Sequence, residues 1–176
     1  MVAAYLLLTT PLSAEALLSP KVGDSLVQSI NQAGVTIGVN DKQACDKPVL
    51  GSYFPGRDLI VICQEQSTPG GREYQWSIGD LTVLMHESTH LLQDCLSGSM
   101  RDMQLATITH SEAELIEYSK DLSEDMVAWI IETYTAYGAD DITLWLEIEA
   151  FSTQVSADID TLAGAIDEAC PYRAWG

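Results

Sequence analysis

The stretch LTVLMHESTHLLQDC, residues 81 to 95, constrains the fold more than any other part of the chain. Its apolar residues recur at the spacing of one helix face, so the pattern predicts an α-helix from residue 81 to about residue 95. Asp80 stands directly before this stretch and is expected to be the N-cap. The predicted apolar face consists of Leu81, Leu84, Met85 and Leu92.

Two histidines in this helix, His86 and His90, are four positions apart. This spacing places both imidazoles on one helix face, where they can bind a single Zn²⁺ at roughly 2 Å. Glu87 lies beside them and is suited to take a proton from a water at the metal without being a ligand. The alternative is a polar helix face on which two histidines fall by chance. Because the motif falls on a predicted helix with apolar flanks, behind a buried-type strand, metal binding is favoured.

A catalytic zinc site takes a third ligand from the protein. Glu147 and Glu149 are two positions apart on a predicted helix and point away from each other, so only one of them is expected to face the ion. From the residues alone, the candidates for the third ligand are His110, Glu112, Glu114, Glu147 and Glu149.

HESTH followed downstream by WLEIEAFSTQ resembles the gluzincin metallopeptidases. The segment EAFS, residues 149 to 152, matches the thermolysin-like form of the second gluzincin motif. The resemblance implies that His86, His90 and Glu149 bind zinc and that Glu87 is the general base and acid. It also implies a strand before the zinc helix whose edge binds an extended peptide, and LIVIC, residues 59 to 63, occupies that place.

The chain departs from the thermolysin pattern in two respects. The segment between His90 and Glu149 is much longer than in thermolysin, and Thr153 stands where those enzymes carry an aspartate that orients a ligand histidine. HESTHLLQDCL, GVTIGVNDKQAC and GSYFPGRDLIVIC are also similar to small uncharacterised cyanobacterial and phage metalloprotease-like proteins, over most of residues 22 to 155. This second similarity implies a compact domain but no particular substrate.

The rest of the chain predicts an α+β domain of zincin-like type over residues 17 to 176. A helix over residues 22 to 33 precedes strands at GVTIGV and LIVIC, and the HExxH helix follows them. Helices are then expected over residues 111 to 120 and from Ser123 to Gly138. A long helix capped by Asp140 or Asp141 is expected to run from residue 142 to residue 169.

Several other polar and aromatic residues carry expectations of their own. The residues that could donate a hydrogen bond to an oxyanion are His110, Tyr53, Tyr118, Tyr134 and Tyr137, and the sequence gives no basis for ranking the tyrosines. His110 fits a surface histidine better than an oxyanion donor. Charged residues at 112, 114 and 117 are expected to form a solvent face, and Trp129 and Trp145 are expected in the core rather than on a substrate platform.

Four cysteines, Cys45, Cys63, Cys95 and Cys170, include no CxxC pair, which disfavours a structural zinc knuckle. Pairing of Cys45 with Cys63 would close a hairpin around a Pro-Gly turn, and pairing of Cys95 with Cys170 would tie the HESTH helix to the C-terminus. Four reduced thiols in a cytosolic protein are the alternative.

Residues 1 to 16 resemble a signal peptide. Residues 2 to 12 are apolar, no charge precedes Glu15, and Ala14-Glu15-Ala16 has the form of a cleavage site. The positively charged start is missing, and a buried first helix or strand is the alternative. We expect a secreted or periplasmic protein, and association with a virion is the alternative. No stable membrane span is expected.

The formal net charge of −18 comes from 26 acidic and 8 basic residues and disfavours nucleic acid as a partner. The function predicted from the sequence is zinc-dependent hydrolysis of a peptide or protein substrate. The alternative is a catalytically inactive zincin-like protein of an envelope or virion that binds an assembly partner. In that case zinc would only join helices. The intact Glu87 favours the enzyme, and Thr153 favours the alternative.

Overall fold

The computed structural model describes residues 23–46, 49–64, 77–100 and 102–170. The signal-like segment lies outside these residues, as does most of the loop after LIVIC. Within them, the chain forms a three-stranded mixed sheet and six helices, which confirms the predicted α+β class.

The sheet consists of β1 (Thr36–Val39), β2 (Gly51–Phe54) and β3 (Leu59–Ile62) in the order β1-β3-β2. β3 pairs in parallel with β1 and antiparallel with β2, and its residues 60 to 62 are fully buried. The apolar run LIVIC therefore forms the central strand, as its β-branched composition indicates. Because both edges of β3 are paired, it cannot offer an edge to a peptide, and this implication of the resemblance is corrected. β2, which pairs only with β3 among the described residues, is the edge strand beside the HExxH helix.

The HExxH helix is α2 (Ile78–Leu96), and it begins earlier than predicted. Ser77 is the N-cap, and its hydroxyl accepts from the backbone N–H of Asp80. Asp80 lies at the third helical position and its carboxylate accepts from the Ser77 N–H, which completes a capping box. The expected N-cap role of Asp80 was therefore wrong by one turn, because the preceding serine offers the reciprocal pair of bonds.

The C-terminal half contains α3 (Glu112–Tyr118), α4 (Glu124–Ala136), α5 (Asp141–Ser156) and α6 (Ile159–Ala169). Ser123 and Asp140 cap α4 and α5 as predicted. The single long helix expected from residue 142 to residue 169 is wrong. Ala157 adopts an extended backbone, and the Asp158 side chain then accepts from the N–H of Thr161 to cap a new helix. A local aspartate cap thus outweighs the apolar periodicity that runs across the break.

α2 lies at the centre of the fold and packs against the sheet, α5 and α6. The main core joins α2 to α1 (Asp24–Gln32), the sheet and α6, while a smaller core lies between α4 and α5. The members of the smaller core are Ile130, Tyr134, Ile148 and Phe151. Every residue of α2 from 83 to 95 is consequently buried, including the polar ones.

Two disulfides have the predicted pairing, Cys45 with Cys63 and Cys95 with Cys170. The first joins the loop after β1 to the end of β3, and the second joins α2 to the end of α6. Two disulfide bonds indicate an oxidising, extracellular type of environment. Among the described residues, no helix is long and apolar enough to cross a bilayer.

Candidate metal centre

The two histidines of α2 face a carboxylate of α5. His86 Nε2 lies 3.4 Å from Glu147 Oε2, and His90 Nε2 lies 3.7 Å from Glu147 Oε1. All three side chains are completely buried. α2 supplies the histidines on one face through their four-residue spacing, and the packing of α5 on α2 brings the glutamate to them.

The hydrogen bonds of Gln93 determine the tautomer of His90. The Gln93 amide nitrogen donates to the carbonyl of Leu146 at 3.0 Å and to Glu149 Oε2 at 2.9 Å. Its amide oxygen must then face His90 Nδ1, at 2.7 Å. That oxygen can only accept, so Nδ1 carries the proton and Nε2 presents a lone pair towards Glu147.

His86 has the same arrangement with a different partner. Its Nδ1 lies 3.1 Å from the amide oxygen of Gln154, which leaves Nε2 to face Glu147. The ring of Phe151 packs edge-on against the imidazole at a centroid distance of 4.6 Å. Partners on the outer nitrogen and packing on the ring fix the direction of a ligand histidine, as in known metal sites.

The inner atoms of this cluster are buried without hydrogen-bond partners. They are both Nε2 atoms and both carboxyl oxygens of Glu147, together with both carboxyl oxygens of Glu87. Buried polar atoms without partners are rare in folded proteins, and these offer mainly lone pairs. A cation would satisfy them. The ligand atoms of His86, His90 and Glu147 lie within 4.8 Å of one another, so this group could hold a metal ion.

Burial sets the protonation of these groups when no cation is present. Burial lowers the pKa of His86 to about 3 and raises the pKa of Glu147 to about 7. It also lowers the pKa of His90, an effect that the negative charge of Glu147 opposes. The short contacts between the histidines and Glu147 are therefore not ion pairs near neutral pH, and a divalent cation would supply the missing positive charge.

Glu87 is completely buried next to this group. Burial raises its pKa well above the ordinary value, and the carboxylate of Glu147 raises it further. The backbone N–H of Tyr53 and the hydroxyl of Tyr134 approach the two carboxyls and lower their pKa, although neither contact reaches full hydrogen-bond geometry. A carboxyl with a raised pKa beside a candidate metal group is typical of a general base.

The structure places Glu149, the third ligand implied by the resemblance, outside the group of His86, His90 and Glu147. Its two carboxylate oxygens accept five hydrogen bonds. The donors are the Gln93 amide, the backbone N–H groups of Ile108 and Thr109, the Thr109 hydroxyl and the Trp145 indole N–H. Because residues two apart diverge on a helix, Glu149 turns towards these donors while Glu147 turns towards the histidines.

The other candidate ligands do not reach the cluster. His110, Glu112 and Glu114 are exposed, and the acidic residues of α3 form the expected solvent face. Trp129 packs edge-on against Phe151 at 5.8 Å. Trp145 is partly buried and hydrogen-bonded to Thr109. Neither tryptophan forms an exposed platform, as expected.

The four tyrosines that could be oxyanion donors lie in different surroundings. Tyr53 donates to Asp94 in the core, and Tyr118 shares a hydrogen bond with Thr153 at 2.7 Å. Tyr137 is exposed at the end of α4. Tyr134 is buried beside Glu147 and is the tyrosine that lies at the candidate metal group.

Sequence reasoning missed Gln93 and Gln154, the partners of the histidines, and Thr109, which donates to Glu149. Gln93 had a detectable signal, because it lies three positions after His90 on the same helix face. Gln154 and Thr109 carried no such signal, since only the packing of α5 and of the segment before α3 brings them to the site.

No protein-family model matches the chain, and no curated protein or solved structure shows significant similarity to it. The case for a function therefore depends on the chemistry of the cluster.

Proposed function

We propose that the protein is a zinc-dependent hydrolase that cleaves peptide bonds, with His86, His90 and Glu147 as the metal ligands. The observation that carries this proposal is the convergence of buried lone pairs from three side chains of metal-binding type, next to the carboxyl of Glu87.

The composition of the group favours zinc at a catalytic site. Two imidazoles and one carboxylate are a ligand set that zinc accepts, and structural zinc sites usually have four protein ligands where catalytic sites have three. Among the described residues, the group that could hold a metal consists of three side chains, those of His86, His90 and Glu147. A zinc ion held there supplies Lewis acidity and lowers the pKa of water.

Glu87 is the proposed general base. With its raised pKa it can take a proton from the attacking water, hold that proton, and deliver it to the leaving amine. Its neighbours at 86 and 90 are the proposed ligands, so its carboxyl stays close to the reacting water without binding the metal itself. This division of roles is the one implied by the resemblance of HESTH to gluzincin peptidases.

The proposed peptide site is the edge of β2. An extended peptide can add to a strand edge through main-chain hydrogen bonds. β2 packs directly against α2, and Gly51 at its start lies against Glu87, so a peptide along this strand would pass close to the proposed base. With two disulfides, secretion or a periplasmic location is the proposed setting for such an enzyme.

One observation favours a second candidate, a metal that only joins α2 to α5 in a binding or assembly protein. The three proposed ligands and Glu87 are completely buried, as in closed structural sites. The two candidates differ in what they require of Glu87, because a structural metal does not need a base.

The experiment is a comparison of the wild type with Glu87→Gln, using bound zinc, the circular dichroism spectrum and hydrolysis of unfolded protein substrates and peptide libraries. We expect the variant to keep its zinc and fold and to lose at least about 100-fold in hydrolysis. Glu117→Gln, on the exposed face of α3, is the matched control and should keep full activity. Equal hydrolysis by wild type and Glu87→Gln would contradict the mechanism. A zinc-loaded wild type without hydrolase activity would favour the structural candidate.

A further inference from the structure

We propose that Glu149 is a positioning residue that acts through Gln93 to hold His90 in the tautomer whose Nε2 is free to bind a metal. The consequence for metal binding rests on the proposed function. The tautomer itself is a property of the metal-free chain and can be tested separately.

The connection consists of two short hydrogen bonds through one amide. Glu149 Oε2 accepts from the Gln93 amide nitrogen at 2.9 Å, and the Gln93 amide oxygen faces His90 Nδ1 at 2.7 Å. All three side chains are completely buried, so water cannot replace either bond. Because an amide has its donors on one side and its acceptor on the other, the acceptors of Glu149 and of the Leu146 carbonyl turn the Gln93 oxygen towards His90, whose Nδ1 must then donate.

The carboxylate of Glu149 is itself held by the segment before α3. The backbone N–H groups of Ile108 and Thr109 and the Thr109 hydroxyl donate to it at 2.9, 2.8 and 2.6 Å. The same segment is attached to α2, because the N–H of Ala106 donates to the carbonyl of Gln93 at 2.9 Å. Surrounded by donors, Glu149 serves only as an acceptor, and this is the state that the orientation of Gln93 requires.

Replacing the Glu149 carboxylate by an amide should reverse the orientation of Gln93 and, with it, the tautomer of His90. In Glu149→Gln, an NH₂ group replaces one of the two carboxylate oxygens. It must face either Gln93 or Thr109, both of which donate to the carboxylate in the wild type. Facing Thr109, this group would meet three donors, the N–H and the hydroxyl of Thr109 and the indole N–H of Trp145. Facing Gln93, it would meet the N–H of Ile108 and the Gln93 amide, and because the amide can turn over, we expect it to face Gln93. Gln93 would then turn over and give up its hydrogen bond to the Leu146 carbonyl. Its NH₂ would point at His90 Nδ1, and the proton of His90 would move to Nε2.

His86 supplies an internal control. Its Nδ1 is held by Gln154, with no hydrogen bond to Gln93 or Glu149. A change that only loosens the core would affect both histidines. The proposed connection from Glu149 through Gln93 predicts that only the tautomer of His90 changes. A general structural role for Glu149 would not produce this result.

The experiment is the measurement of ¹⁵N chemical shifts of the histidine side chains in chelator-treated protein near pH 7.5. The chain has three histidines, so the signals can be assigned by substitution. In the wild type we expect His86 and His90 both to carry the proton on Nδ1. In Glu149→Gln we expect His90 to move to the Nε2–H form while His86 stays unchanged. A wild-type His90 protonated on Nε2, or a His90 unaffected in the folded variant, would overturn the inference.

A second variant covers the case in which Glu149→Gln does not fold. Gln93→Met keeps the length of the side chain and removes its hydrogen bonds to His90, Leu146 and Glu149, so His90 should populate both tautomers. A His90 that stays entirely in the Nδ1–H form in Gln93→Met would also overturn the inference.

Zinc affinity gives the second readout, by competition with a chromogenic chelator. We expect zinc binding to weaken about 10- to 100-fold in Glu149→Gln, as is typical when the partner that orients a ligand histidine is lost. If the wild type binds no zinc, the proposed function fails while the tautomer result stands. If zinc binds equally well to the wild type and to a variant whose His90 has changed tautomer, the connection does not serve the metal and this part of the inference fails.

Discussion

Gly51 in β2 lies directly against the side chain of Glu87 in α2. A Cβ atom at position 51 would stand 3.1 Å from both Cγ and Oε1 of Glu87 and 2.5 Å from Cγ1 of Val83. The close approach of strand and helix at this point therefore requires the absence of a side chain. It also fixes where the carboxyl of Glu87 can lie.

Gly51→Ala should consequently damage both stability and activity. Overpacking at this contact is expected to cost about 1–3 kcal/mol of unfolding free energy and to displace Glu87 from the proposed reacting water. Denaturant unfolding and peptide hydrolysis measure the two effects. Gly164→Ala is the matched control in α6. Its new Cβ meets no atom within 4 Å, and it should gain roughly 0.5–1 kcal/mol. A Gly51→Ala protein with wild-type stability and activity would contradict this account.

Glu147→Gln should change stability in opposite directions with and without zinc. In the metal-free protein, burial raises the pKa of Glu147 from 4.5 to about 7. The folded state therefore holds a proton that the unfolded state loses, so the contribution to stability is complete below pH 4.5 and is lost as the pH rises through 7. The neutral amide avoids this loss.

We therefore expect metal-free Glu147→Gln to be more stable than the metal-free wild type by up to about 3 kcal/mol at pH 8, with the difference vanishing near pH 4.5. With zinc the order should reverse, because only the wild type gains the free energy of metal binding. Urea unfolding with chelator and with excess zinc measures both. A variant that is less stable than the wild type under both conditions would contradict the proposed role of Glu147.

The two disulfides should contribute unequally to stability. Cys45 and Cys63 are separated by 18 positions, and Cys95 and Cys170 by 75. The longer loop loses more chain entropy in the unfolded state, with expected contributions of about 3 and about 4.5 kcal/mol. The double variants Cys45→Ala/Cys63→Ala and Cys95→Ala/Cys170→Ala, compared by urea unfolding, test this order. Equal losses, or a larger loss for the shorter loop, would contradict it.

The sequence predicted the parts of the site that depend on local spacing. The four-residue interval between His86 and His90 needs only one helix, and the apolar pattern around it was sufficient to locate that helix. The buried strand at LIVIC and both disulfide pairs were also predicted correctly. The strand and the first disulfide follow from composition and from the position of a turn, which are local properties. The second disulfide joins the two cysteines that remain.

The third member of the cluster could not be predicted in this way. Glu147 and Glu149 share one helix and both are completely buried, so neither burial nor periodicity separates them. The choice depends on Gln93 and Thr109, which are distant in sequence and supply donors to Glu149. The resemblance of residues 149 to 152 to a family motif points to Glu149, whereas Glu147 lies with the histidines, because a short motif carries no information about those donors.

The most direct test is the zinc content of the purified protein after incubation with the metal and removal of excess, measured by mass spectrometry of the element. Wild type, Glu147→Ala and the exposed-site control Glu114→Ala are compared. We expect one tightly held zinc per chain in the wild type and the control, and its loss in Glu147→Ala. A wild type without zinc, or a Glu147→Ala protein that holds one zinc as tightly as the wild type, would contradict this expectation.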